Sequence, residues 1–167
     1  TDLVDQSHLT YGVDMYNDVV DSFKNRLDVT TGDFLSSRNP SYPDDGWSRQ
    51  TGAFIQYDKQ LNGRLGVTAG TRFTQSHVQA TPILKIDDDG DPLTDPVDTP
   101  VHISPSFDNW SASGGLAYQL NADLMLVGSI SEGFRAPNLD DLASNNDNVQ
   151  QTAADTPSID LLPATSL

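Results

Sequence analysis

The chain has 167 residues, 36% of them hydrophobic, a formal net charge of -15 and no cysteine. That length suits one ordinary domain, and the missing cysteines exclude a disulfide framework, thiolate chemistry and a Cys-ligated metal. The charge excludes a nucleic-acid partner, because the nine basic residues are scattered and a phosphate-binding face needs them clustered.

The opening Thr1-Asp2-Leu3-Val4-Asp5 has neither a basic region nor an apolar core and is not read as a signal peptide; for an exported protein this implies processing or truncation. A first alternating segment, about 8–19, sets Leu9, Tyr11, Val13 and Met15 against His8, Thr10, Gly12, Asp14 and Tyr16. A polar connection over 20–48 follows, with Asn39-Pro40, Pro43 and Asp45-Gly46 as breakers. The second segment, about 49–60, puts Ala53, Ile55 and Tyr57 on one face and Gly52, Gln56 and Asp58 on the other, with Phe54 interrupting the polar side. Asn62-Gly63 is the strongest hairpin signal, since a two-residue turn with both central residues at positive φ favours that pair.

The third segment, about 64–78, sets Leu65, Val67, Ala69, Thr71 and Phe73 against Gly66, Thr68, Gly70, Arg72 and Thr74. An Asp- and Pro-rich loop over 79–101 leads to the fourth, about 102–120, and Asn121-Ala122-Asp123 makes a tight turn into the fifth, about 123–135. There Leu124, Leu126, Gly128 and Ile130 share one face, and Ser129, Ser131 and Gly133 the other, until Pro137, which has no N–H to give a ladder. A polar loop over 138–162 follows, in which Asn138-Leu139-Asp140-Asp141-Leu142 can open one helical turn.

Strand length and loop spacing separate the β architectures. A soluble sandwich has strands of about five or six residues and even connections, whereas these segments are about twice that long. Outer-membrane barrels have strands of about ten residues, short periplasmic turns and long extracellular loops. No run of about 18 apolar residues occurs, so a helical span is excluded. Of the 24 acidic residues only Glu132 is Glu, and Asp favours caps and turns over helix interiors. The expected fold is therefore all-β, an antiparallel up-and-down meander. Trp110 and Tyr118 share a face eight residues apart, a vertical separation of about 20 Å at ~40° tilt. They would mark two aromatic girdles, with Tyr57 joining the lower and Phe73 the upper; the alternative is that all four are core residues of a soluble sheet. Small Ser, Gly and Thr on the opposite face suit an enclosed barrel wall.

The run Gly133-Phe134-Arg135-Ala136-Pro137-Asn138-Leu139 resembles the signature late in the barrel of TonB-dependent outer-membrane receptors. His8 to Asp14 resembles a strand opening of that family, Gly52 to Tyr57 with Leu65 to Arg72 resembles a family hairpin, and Leu161 to Ser166 resembles the Leu-x-Pro-Glu-x-Ser start of a further strand, with Ala164 in place of Glu. The resemblance implies part of a barrel of about 22 strands with an N-terminal plug, in the outer membrane of a Gram-negative bacterium. It also implies uptake of a scarce substrate, an iron chelate (siderophore) or similar, with energy relayed by a periplasmic coupling protein. The chain would supply about five complete strands, and no plug or energy-coupling box is visible in it. Five strands cannot close a barrel, so the chain is read as an internal fragment whose partners are outer-membrane lipid, its own plug and the remaining strands. A passive outer-membrane pore and a soluble β-sandwich binding module are the alternatives.

Arg135 is a candidate contact for an anionic ligand at the rim, or else a structural pin through Asp140, Asp141 or a backbone carbonyl. Haem receptors of this family carry the same Phe-Arg-Ala-Pro element and place an axial His in the loop that follows. No His lies between Pro137 and Leu167, so only His77 or His102 could reach such a ligand from outside; His8 lies in the first strand. Asp87, Asp89 and Asp91 suggest a calcium loop but lack the Gly and Glu of the EF-hand pattern, and a solvated loop is the alternative. Arg72 and Asp58, facing inward, would pair with plug residues or stand alone in a wet lumen. No cofactor is expected, and no Ser, His and Asp motif points to an enzyme.

Overall fold

A computed structural model of the chain describes residues 7–38, 42–86, 97–144 and 157–167. In chain order these form β1 (Ser7–Val20), β2 (Lys24–Leu27), β3 (Phe34–Arg38), β4 (Gly46–Asn62), β5 (Leu65–Gln79) and β6 (Ile83–Ile86). Then come β7 (Val97–Pro100), β8 (Ser106–Gln119), β9 (Met125–Ser131), β10 (Gly133–Arg135), a short helix α1 (Leu139–Ala143) and β11 (Ala164–Ser166). Five strands make one antiparallel sheet in the order β1-β4-β5-β8-β9, so each long strand lies beside the next long strand in sequence. That is an up-and-down meander. β2 with β3, β6 with β7, and β10 with β11 form separate two-stranded ribbons.

Directly opposed residues in an antiparallel sheet share a face, so the register assigns every side chain. One face carries the rows Leu9–Tyr57–Ala69–Gly114–Ile130, Tyr11–Ile55–Thr71–Ala112 and Val13–Ala53–Phe73–Trp110. The other carries His8–Asp58–Thr68–Gly115–Ser129, Thr10–Gln56–Gly70–Ser113–Ser131 and Gly12–Phe54–Arg72–Ser111. The apolar face is uncovered: Val13 is 82%, Trp110 66% and Ile130 61% exposed. A water-soluble sheet buries such a face against a second layer, because each large side chain left in water forgoes about 1.5–3 kcal/mol.

The buried core lies elsewhere, on the polar face at the end of the sheet where the long connections lie. Val78, Ala80, Ile103, Leu139, Leu142 and Ala143 form it, with Val20, Val101, Phe107 and Ile159 packed around them. α1 therefore folds onto the inner side of the sheet, and among the described residues no second layer covers the outer side.

Several local features differ from the sequence expectation. The connection over 20–48 holds the β2–β3 hairpin, closed by Asp28, whose Oδ1 accepts the N–H groups of Thr30 at 2.7 Å and Thr31 at 3.0 Å. Strands of four and five residues are too short to show a period of two. The loop over 79–101 likewise holds the β6–β7 ribbon. The fourth long strand begins at Ser106, not His102; Pro105 has no N–H for the ladder, and above it pairing continues through the Ala80–Ile103 bridge and the Val101 N–H, which donates to the Pro82 carbonyl at 2.9 Å. The fifth is broken at Glu132: its backbone N–H donates to the Ala112 carbonyl at 2.9 Å while its own carboxylate accepts the Ala112 N–H at 3.0 Å. A side chain thus replaces a ladder partner, and β10 continues with β11 instead. At Asn62-Gly63 neither residue takes positive φ; among the described residues only Asp45 and Gly32 do. Asn62 Oδ1 instead accepts the N–H groups of Arg64 and Leu65, both at 2.9 Å, and the register slips between Gln60 and Asn62.

Candidate functional site

The run from Gly133 to Leu139 builds the rim of the inner wall. Pro137 is buried one residue ahead of the helix cap Asn138, so it precedes the first turn and does not enter it. Asn138 Oδ1 accepts the Asp141 N–H at 2.8 Å, and Asp141 Oδ2 accepts the Asn138 N–H at 3.1 Å, a reciprocal cap. The same carboxylate takes Arg135, whose Nη2 lies 3.1 and 2.7 Å from its two oxygens. Asp141 therefore ties strand end to helix start, and Arg135 is engaged as a pin. Its side chain remains 67% exposed, so an anionic ligand could still compete for it.

Once capped, α1 lays Leu139 and Leu142 on the inner face. A Cβ at Gly46 would stand 3.0 Å from Leu139 Cδ2, tighter than nearly all such contacts, so a side chain at 46 would require Leu139 to shift by a few tenths of an ångström. The Tyr42 hydroxyl donates to Asp140, and that hydrogen bond raises the phenol's pKa. Nearby, Asp21 has its pKa raised from its ordinary value, first because it shares a hydrogen bond with Asp44 and then by the charge of the same neighbour. Asp28 is lowered by the N–H groups of Thr31 and Thr30 that it accepts.

Below the rim the inner wall is a lattice of polar contacts. Arg72 on β5 reaches across β4 to Asp14 on β1, with Nη2 to Oδ1 at 2.8 Å and Nε to Thr74 Oγ1 at 3.1 Å. It crosses over Gly52, where any Cβ would overlap the guanidinium. Asp58 accepts the Thr68 hydroxyl at 2.6 Å and Gln56 Nε2 at 3.0 and 3.2 Å. Phe54, the apolar interruption of this face, covers Gly12 opposite it on β1; a Cβ there would approach the ring to 2.7 Å. Both inward charges thus have partners within the wall itself.

The remaining predicted residues scatter. Phe73 and Trp110 stand opposite each other with ring centroids 5.1 Å apart, both on the apolar face. Tyr118 lies opposite Leu65 and Leu126, and Tyr57 two rows nearer the strand middle, opposite Leu9 and Ala69. His77 is on the apolar side, with Nε2 3.2 Å from Ser104 Oγ, and His102 is exposed with Nδ1 3.4 Å from Thr81 Oγ1. Neither histidine adjoins Arg135. Asp87, Asp89 and Asp91 lie outside the described residues, and among those described no group of three His, Asp or Glu could hold a metal. The Arg72–Asp14 pair was missed by sequence reading, although Asp14, Gly52 and Arg72 each lie on the polar face of their segments.

The family described as TonB dependent receptor-like, beta-barrel matches residues 1–167. Among solved structures, a double mutant of the Serratia marcescens hemophore receptor HasR in complex with its hemophore HasA and heme is similar, with a TM-score of 0.70 and 13% identity. The match covers 95% of this chain and 25% of that one, so the chain spans a quarter of that receptor's length. At such identity the likeness is one of fold. No curated protein matches the chain by sequence.

Proposed function

The chain belongs to the TonB-dependent receptor β-barrel family, a family of receptors and transporters, and from that premise we propose that it forms adjacent strands in the wall of an outer-membrane receptor for a scarce substrate. The supporting observation is the one-sided band. From the Leu65–Tyr118–Leu126 row to the Phe73–Trp110 row the outward side is largely apolar and bare, over eight residues of β5. That is about 20 Å along the membrane normal at ~40° tilt, close to the ~25 Å apolar belt of outer-membrane barrels.

In this reading the short turns at Asn62 and Asn121 face the periplasm, and the rim built by α1 faces the cell exterior. The polar inner wall encloses a plug supplied by other parts of the receptor, and a periplasmic coupling protein supplies the energy. The substrate is an iron chelate or a molecule of similar scarcity. Haem ligation by His77 or His102 is disfavoured, because His77 lies on the lipid side and His102 continues that side above the rim. A soluble sandwich would need a second layer over the apolar face. The test is uptake of radioactive iron chelates by a receptor-deleted strain carrying the full-length gene, with and without a protonophore. Energy-dependent uptake is expected; uptake that persists in de-energised cells would favour a passive pore.

A further inference from the structure

Above the Phe73–Trp110 row the outer face changes character. The next row up is Met15–Thr51–Gln75–Asp108, and the one above it Asn17–Arg49–His77–Ser106, with Trp47 one row higher on β4. Here the side chains interlock. The Arg49 guanidinium carbon stands 5.6 Å from the centroid of Trp47, and the Trp47 and His77 rings are 5.1 Å apart. Arg49 Nε donates to Asn17 Oδ1 at 3.2 Å, which fixes the plane of the fork.

Height decides what such a group meets. Arg49 lies four residues above the girdle row, about 13 Å along the strand and about 10 Å along the membrane normal. That carries it beyond the hydrocarbon edge into the headgroup layer, where an amphipathic ring faces acyl chains below and its cation faces polar groups above. The chain carries 24 acidic and nine basic residues, so an arginine stacked on tryptophan with a histidine beside it, on the lipid side, runs against the general charge. Its planar fork matches a phosphate bidentately, and the stacking holds that fork in place before the ligand arrives. Asp108 is an opposing charge on this face; it lies one row lower and two strands from Arg49, roughly 10 Å to the side, and is the diagonal neighbour of His77 on the adjacent strand.

We propose that Trp47, Arg49 and His77 form a docking surface for the phosphate of an outer-leaflet glycolipid headgroup. The inference rests on the reading that the outer face meets a membrane. Native mass spectrometry of the full-length receptor, incubated with micelles of lipid A or of dephosphorylated lipid A, tests it. The phosphorylated lipid is expected to bind more tightly, with the preference falling about tenfold or more in Arg49→Gln/His77→Gln and falling part of the way in Arg49→Lys, which keeps the charge and loses the planar fork. Heat-modifiable gel mobility shows that each variant is folded; should the double variant fail, the comparison of the two lipids on the unaltered receptor decides alone. Equal binding of the two lipids, or a folded double variant that keeps the full preference, overturns this inference and leaves the membrane reading standing. A receptor absent from the membrane fraction that retains neither lipid would overturn both.

Discussion

Adjacent residues 129 and 130 on β9 point to opposite faces, and one substitution at each separates the two sides of the sheet. Ile130 lies opposite Gly114, four residues from Trp110 and four from Tyr118, which puts it near the middle of the apolar band, about 10 Å from either girdle. An arginine there enters the zone where a lipid-facing cation costs about 2–4 kcal/mol, roughly a 30- to 900-fold loss in the folding equilibrium. Ser129 lies opposite Gly115, in the row of Thr68 and Asp58, so an arginine at 129 meets a polar wall and a carboxylate. Its expected cost is smaller, under about 1 kcal/mol and no more than that of a lipid-facing cation near the membrane interface, because position 129 faces polar groups. The assay is the urea dependence of heat-modifiable mobility for the full-length receptor folded into phosphatidylcholine vesicles. Ile130→Arg should lower the midpoint clearly and Ser129→Arg little. Equal losses at the two positions would refute the assignment of faces.

Leu142 is fully buried between α1 and the inner face, so Leu142→Ala should weaken helix docking by about 2–5 kcal/mol, read as faster hydrogen exchange over 139–143 and 42–46. Asn138→Ala removes the reciprocal cap and should cost the same helix about 0.5–2 kcal/mol, with proteolytic cleavage appearing near the strand end first. Gly52→Ala should break the Arg72–Asp14 contact, and combining it with Arg72→Gln should add little further destabilisation; additive losses would contradict the crossing seen over Gly52. Asp28 has a lowered pKa, so its support of the β2–β3 turn is full above the ordinary carboxylate range and is lost as pH falls through the lowered value. Asp21 has a raised pKa, so its contact with Asp44 is strongest in acid and is lost as pH rises through the raised value. The Ser22 N–H donates to Asp44 Oδ1 at 3.3 Å, so protection of the Thr30 and Ser22 amides, corrected for the intrinsic pH dependence of exchange, should respond in opposite directions on acidification, and Asp28→Asn should remove the first response.

The long strands were legible because their side chains alternate over many residues, as Leu65 to Thr74 does, and because Asn62 and Asn121 punctuate them. The β2–β3 and β6–β7 ribbons were not, since four or five residues carry too few alternations to stand out from polar loop. The turn at Asn62 was found by the right residue for a different reason: its side-chain oxygen, not a positive φ, closes the chain. Arg135 was legible as a charge at a strand end, and its partner Asp141 lay among the alternatives. The cluster of Trp47, Arg49 and His77 was hidden because it joins two strands whose register the sequence does not print. Once the register is known, odd positions on β4 and β5 place all three on one side.

Site-directed spin labels at each position of β8 from 106 to 119, in the full-length receptor reconstituted in lipid, would test the central claim most directly. Collision rates with oxygen, which partitions into hydrocarbon, should peak at Trp110, Ala112, Gly114, Leu116 and Tyr118, and collapse by Asp108 and Ser106. Rates with a water-soluble nickel chelate should peak at the residues between them. Two faces equally shielded from both reagents, or no alternation along the strand, would contradict a wall with lipid on one side and a polar interior on the other.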